Sequence, residues 1–85
     1  MEITIQVPTY DPEKGFQFHW ENGFEIKTQV SEGQILISAN KEGLISFANH
    51  LLNLAQDGMS AGSHIHLDEY NSLEEGSVEL VIEKI

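Results

Sequence analysis

The chain has 85 residues, 40% of them hydrophobic, and carries fourteen acids against four lysines and no arginine, for a net charge of −10. That length limits it to one domain spanning 1–85 with a modest core. The absence of cysteine removes disulfides and thiolate metal sites, and the negative field excludes nucleic acid and anionic membranes as partners while favouring cationic proteins.

Met1 leads directly into an alternating run with no basic leader and no long apolar stretch. This predicts a cytoplasmic protein with no membrane segment. Glu2 to Val7 alternates, Ile3, Ile5 and Val7 opposing Glu2, Thr4 and Gln6, which predicts a half-buried strand. Pro8 to Gly15 reads as a loop. Phe16 to Trp20 alternates again, with Phe16, Phe18 and Trp20 inward, so Trp20 reads as core. Asn22-Gly23 is a hairpin signal, because both residues tolerate positive φ. Phe24 to Val30 is the returning strand, Ser31-Glu32-Gly33 a second turn, and Gln34 to Ala39 a further strand, making an antiparallel meander.

Lys41 to Asp57 is the one run of helical period. Leu44, Ile45, Phe47, Ala48, Leu51, Leu52, Leu54 and Ala55 share one half of the wheel, the half expected to face the sheet. Ser46, Asn49, His50, Asn53, Gln56 and Asp57 fill the other, expected in solvent. Asn40 occupies the N-cap position, and Gly58 the C′ position where a left-handed residue would end the helix. Ser63 to Leu67 and Ser77 to Ile85 read as strands, joined by the polar connection Asp68 to Gly76. The expected fold is α+β: a largely antiparallel sheet of five to six strands with one amphipathic helix packed on one face.

Gly58 to Gly62, GMSAG, matches the G-x-S-x-G nucleophile elbow. The elbow needs a strand before the serine and a helix after it; here that order is reversed, so Ser60 reads as part of a small-residue loop. His64, His66 and Asp68 alternate onto one strand face, which suits two imidazoles and a carboxylate around an ion or in an enzymatic site. The same pattern is also what the polar face of any strand requires, and no cofactor or metal is assigned. Asp68 to Glu83 holds six carboxylates and no basic residue, interleaved with Tyr70 and Leu73. An aromatic anchor with a charged rim suits a protein interface, as does a solvated loop. The terminal strand, with Val81 breaking the outward alternation, offers a sheet edge for a homodimer or an oligomeric regulatory module.

SANKEGL at Ser38 to Leu44, ANHLLNLAQ at Ala48 to Gln56 and HLDEYNSLEEGSVELVIEK at His66 to Lys84 resemble the immunity protein 32 family of bacterial polymorphic toxin systems. The resemblance covers the C-terminal half to three-fifths of the chain and leaves Glu2 to Val30 unmatched. It implies a non-enzymatic, cytoplasmic protein that binds and neutralises a cognate toxin domain, and it carries over no catalytic residue. Toxins of such systems are often nucleases with basic clefts, so an acidic surface is the expected contact. The residues expected to make it are Asp68, Glu69, Tyr70, Glu74 and Glu75, with His64 and His66 on the adjoining sheet face.

Overall fold

Two residues of positive φ, Glu32 (50°) and Gly33 (76°), form the tightest turn in the chain. A two-residue turn of this kind matches the right-handed twist of paired strands. It joins β1 (Ile26–Ser31) to antiparallel β2 (Gln34–Ala39), with Ser31 opposite Gln34 and Ile26 opposite Ala39. The computed structural model describes Met1–Ile85 and continues with α1 (Lys41–Leu54), β3 (His64–Leu67) and β4 (Leu80–Glu83). β3 and β4 pair antiparallel, with His64 opposite Glu83 and Leu67 opposite Leu80.

The expected sheet of five to six strands does not form. There are four strands in two separate two-stranded sheets with one helix, an α+β arrangement only in a loose sense. Glu2 to Val7 and Phe16 to Trp20 are not strands, and β1 begins at Ile26 rather than Phe24. The reason lies in where their backbone groups go. Asn49 Nδ2 donates to Gln6 O (2.8 Å) and Gln56 Nε2 to Pro8 O (2.8 Å), while Tyr10 N–H donates to Gln56 Oε1 (3.0 Å). Asn53 Nδ2 donates to Gln17 O (2.8 Å), His50 Nε2 to His19 O (3.1 Å), and Glu21 N–H to Ser46 Oγ (2.8 Å). Residues 46, 50 and 53 lie on one helical face, and 21, 19 and 17 on one edge of an extended chain. A ladder of side chains has replaced the ladder of a neighbouring strand, and these six backbone groups are met without a sheet.

The helix therefore departs from its wheel in part: Leu54 is buried and Phe47 packs on the core as expected, but the polar half is buried too and several leucines are not. Ser46, Asn49, His50 and Asn53 are buried, whereas Leu44 is 57% exposed, and Leu51 and Leu52 are also exposed. Asn40 caps the N-terminus as expected, its Oδ1 accepting from Gly43 N–H at 2.7 Å. The C-terminus falls at Leu54, earlier than expected, and Gly58 is not left-handed. Past that end, Lys84 Nζ gathers the following turn, donating to Gln56 O (2.7 Å) and Met59 O (2.8 Å).

The core is small: Ile26, Leu67 and Leu73, with Trp20, Phe24, Ala39, Phe47 and Leu80 packed around them. The aromatic parity holds in part: Phe16 and Trp20 are half-buried, while Phe18, also expected inward, is exposed. Phe16, Phe18 and Trp20 all place their rings against His50, at centroid distances of 6.2, 5.1 and 4.3 Å. The expected terminal strand from Ser77 to Ile85 is only four residues long. Its first part runs instead beside β1, Val78 N–H donating to Thr28 O (3.2 Å) and Thr28 N–H to Ser77 Oγ (3.2 Å).

Candidate protein-interaction surface

Between β3 and β4 the chain folds back through residues 68–76, a segment built by its own side chains. Asp68 Oδ1 accepts from Tyr70 N–H (2.9 Å) and Asn71 N–H (3.1 Å), the local bonding that Asp favours at turns. Asn71 closes the loop from the other side, its Oδ1 accepting from Asp68 N–H (3.0 Å) and its Nδ2 donating to His66 O (3.0 Å). Glu69 Oε2 accepts from Gly76 N–H at 2.9 Å. Leu73 anchors the centre in the core, and Glu74 N–H donates to Ile26 O (2.9 Å), tying the loop to β1. The polar connection expected from the sequence is thus an ordered loop with fixed carboxylates.

This order divides the expected contact residues. Asp68 and Glu69 are partly buried and spend carboxylate oxygens on the loop's own amides. Glu74 and Glu75 are exposed, and Tyr70, at 89% exposure, projects from the tip of the loop. His64 and His66 alternate outward on β3 as expected, between buried Ile65 and Leu67. Their rings lie 5.0 Å apart in an edge-to-face arrangement. His64 Nδ1 bonds Gly62 O (2.9 Å), and His66 Nδ1 lies 3.5 Å from Glu79 Oε2. No three His, Asp or Glu side chains converge where an ion could be held. Ser60 Oγ has Ser63 Oγ at 3.3 Å as its neighbour, with the helix before it and the strand after.

The charges are left largely uncompensated. The ion pairs are His19 with Glu21 (3.9 Å) and His66 with Glu79 (3.5 Å), and both require a protonated imidazole. No lysine approaches a carboxylate closely enough to pair with it. Two hollows border the acidic loop. A groove of about 120 Å³ lies between the aromatic segment and the loop, lined by Phe18, Trp20, His66, Leu67, Asn71 and Ser72. A wider hollow places Glu74 and Glu25 beside Ile26, Lys27 and Ala39.

Sequence reasoning missed a second class of exposed residue. The helix presents Leu44, Leu51 and Leu52 to solvent, and the β1–β2 hairpin presents Val30, Ile35, Leu36 and Ile37. One signal was available: from Leu44 to Gln56 the helix contains no charged residue, and a polar half made only of Ser, Asn, His and Gln suits a buried bonding face.

No helix is long and apolar enough to cross a membrane. A family model described as Immunity protein 32 matches residues 34–85, more than half of the chain, from β2 through the acidic loop to β4. No curated protein and no solved structure matches the chain.

Proposed function

The chain belongs to the immunity protein 32 family, and from that premise we propose that it is a non-enzymatic, cytoplasmic protein that binds a cognate bacterial toxin domain and neutralises it through its acidic loop. The observation that carries the choice of surface is the loop 68–76: ordered, carboxylate-rich, without lysine partners, and led by an exposed tyrosine. A basic toxin domain supplies the missing counter-charge. Glu74 and Glu75 steer the encounter, and Tyr70 supplies apolar contact area with a polar tip. Asp68 and Glu69 act mainly by holding that loop in shape, with their outer oxygens and the His64–His66 face at the rim. The groove between Phe18, Trp20 and His66 is of a size for a single side chain, and a lysine or arginine stem suits its aromatic and apolar walls. A nuclease is the toxin class that this charge suits best, since phosphate-binding clefts are basic. The proposed complex also accommodates a homodimer of the immunity protein, because the acidic loop and the uncharged strand β2 belong to different elements.

The test is binding of the toxin domain encoded beside this protein, measured for the wild type and for Glu74→Lys with Glu75→Lys. The double reversal should slow association by about tenfold at low salt and leave dissociation less affected. Unchanged affinity would remove those two residues from the contact.

A further inference from the structure

The hairpin β1–β2 has one edge covered over its first half and one edge open throughout, and its turn fixes which residues face each edge. In an antiparallel pair, facing residues alternate between those that exchange ladder bonds and those that do not. The two-residue turn makes Ser31 and Gln34 a bonded pair, so Gln29 with Leu36 and Lys27 with Ser38 are bonded too. Ile26, Thr28 and Val30 therefore turn their backbone groups away from β2, and Ile35 and Ile37 turn theirs away from β1. On the β1 side the outward groups are met along the first half of the strand: Ile26 O accepts from Glu74 N–H (2.9 Å), and Thr28 bonds to Ser77 and Val78, while Val30 at the distal end has no such partner. On the β2 side no protein group meets Ile35 or Ile37.

The side chains tell the same story. Ile26, Thr28 and Val30 share one face of the hairpin with Ala39, Ile37 and Ile35. That face starts in the core, where Ile26 and Thr28 are buried, and runs out to Val30 at 62% and Ile35 at 73% exposure. The distal half is a core-type surface with nothing packed on it, ending in an open strand edge. In a chain of −10, β2 carries no charge at all, and the whole hairpin holds one lysine, Lys27, and one acid, Glu32. A basic partner gains nothing from a neutral strand. A second copy of this chain needs one, because the charged surfaces would repel it, and unlike the neutral leucine face of the helix, β2 also offers unpaired backbone groups.

We propose that β2 is a self-association edge, pairing antiparallel with β2 of a second copy to join two hairpins into one four-stranded sheet. The register follows from the outward groups. A two-fold axis at Leu36 sets Ile35 opposite Ile37 of the partner subunit, so that each pair exchanges two backbone bonds. The same axis extends the apolar face across the junction and brings the two Leu36 side chains together on the opposite face. This dimer rests on the hairpin alone and stands independently of the toxin reading. It also has the opposite salt response: screening relieves repulsion between two acidic copies, so the dimer tightens as salt rises, whereas an acidic-on-basic toxin complex weakens.

Sedimentation equilibrium of the full chain, from low micromolar to near-millimolar concentration at two ionic strengths, reads the association, and amide hydrogen exchange reads its location. The expected result is a monomer–dimer equilibrium that tightens with salt, with exchange at Ile35 and Ile37 slowing as concentration rises. Leu36→Lys, which sets two cations at the axis on an already exposed site, should give a monomer with an unchanged circular dichroism spectrum. Ile35→Pro removes an outward N–H without touching the β1 ladder and should act the same way. A chain that stays monomeric throughout overturns the proposal. So does a dimer indifferent to Leu36→Lys, or one that leaves the Ile35 and Ile37 amides unprotected. Protection of those two amides by the toxin domain alone would assign the edge to a heterologous strand and overturn self-pairing.

Discussion

His50 is the residue whose chemistry is most altered by the fold. Its ring is wholly buried, Nε2 donates to His19 O, and Nδ1 has no partner. Desolvation lowers its pKa from 6.5 to about 4, with the nearby His19 adding to the shift and the backbone bond opposing it. Protonation would put a second N–H into a space with no acceptor. Because the folded value is depressed, the unfolded chain takes up the proton first as pH falls. Stability from neutral His50 is complete above about 6.5 and is lost progressively down to about 4. The full effect is about 3 kcal/mol. Urea midpoints measured from pH 7 to pH 4 should fall less steeply in His50→Gln than in the wild type, once the shared carboxylate contribution is subtracted. Glu32 shows strain rather than desolvation. Its φ of 50° is one that side chains adopt reluctantly and asparagine tolerates. Glu32→Asn should raise stability by about 0.5 kcal/mol, visible as a higher urea midpoint.

Elements meet most closely at the start of α1. Gly43 sits inside the first helical turn, where alanine is normally the better helix former. Here a Cβ would lie 2.3 Å from Glu25 O and 3.0 Å from Ile26 Cγ1. That carbonyl also accepts the Asn40 N–H, so it cannot move without loosening the cap. Gly43→Ala should therefore destabilise the protein by about 1–3 kcal/mol, against propensity, as thermal unfolding will report. The same element explains what the sequence could and could not convey. The helix, its Asn40 cap, the β1–β2 hairpin, the β3 alternation and the acidic connection were all legible, because each is set by local period or turn chemistry. The expected sheet of five to six strands was wrong, because alternation in Glu2 to Val7 and Phe16 to Trp20 describes an extended chain and says nothing of its partner. The partner is the amide-rich face of α1, and tertiary bonding overrode the usual rule that the polar half of a helix is the wet one. Among the candidate contacts, spacing placed His64 and His66 outward on β3 and located the acidic loop. It gave no sign that Asp68 and Glu69 are engaged within that loop.

At the scale of the whole molecule, 85 residues share six buried hydrophobic side chains, three of them in one cluster, an interior rich in side-chain-to-backbone bonds, and a net charge of −10. Five of the twelve buried residues are polar, so the interior depends on side-chain hydrogen bonds as well as on apolar packing. Such a molecule leaves apolar side chains outside and most of its charge unpaired, which is the condition of a protein completed by a partner. The two proposed surfaces differ in chemistry: the one proposed for the toxin domain carries carboxylates and Tyr70, and the edge proposed for self-pairing, β2, is neutral.

The account stands or falls on neutralisation in the cell. The toxin domain encoded beside this protein would be expressed with and without the chain, and growth followed alongside co-purification. The prediction is loss of growth from the toxin alone, recovery when the wild-type chain is present, and poorer recovery with Glu74→Lys and Glu75→Lys together. A toxin domain that is harmless by itself, or that kills equally in the presence of the folded chain, would contradict the account.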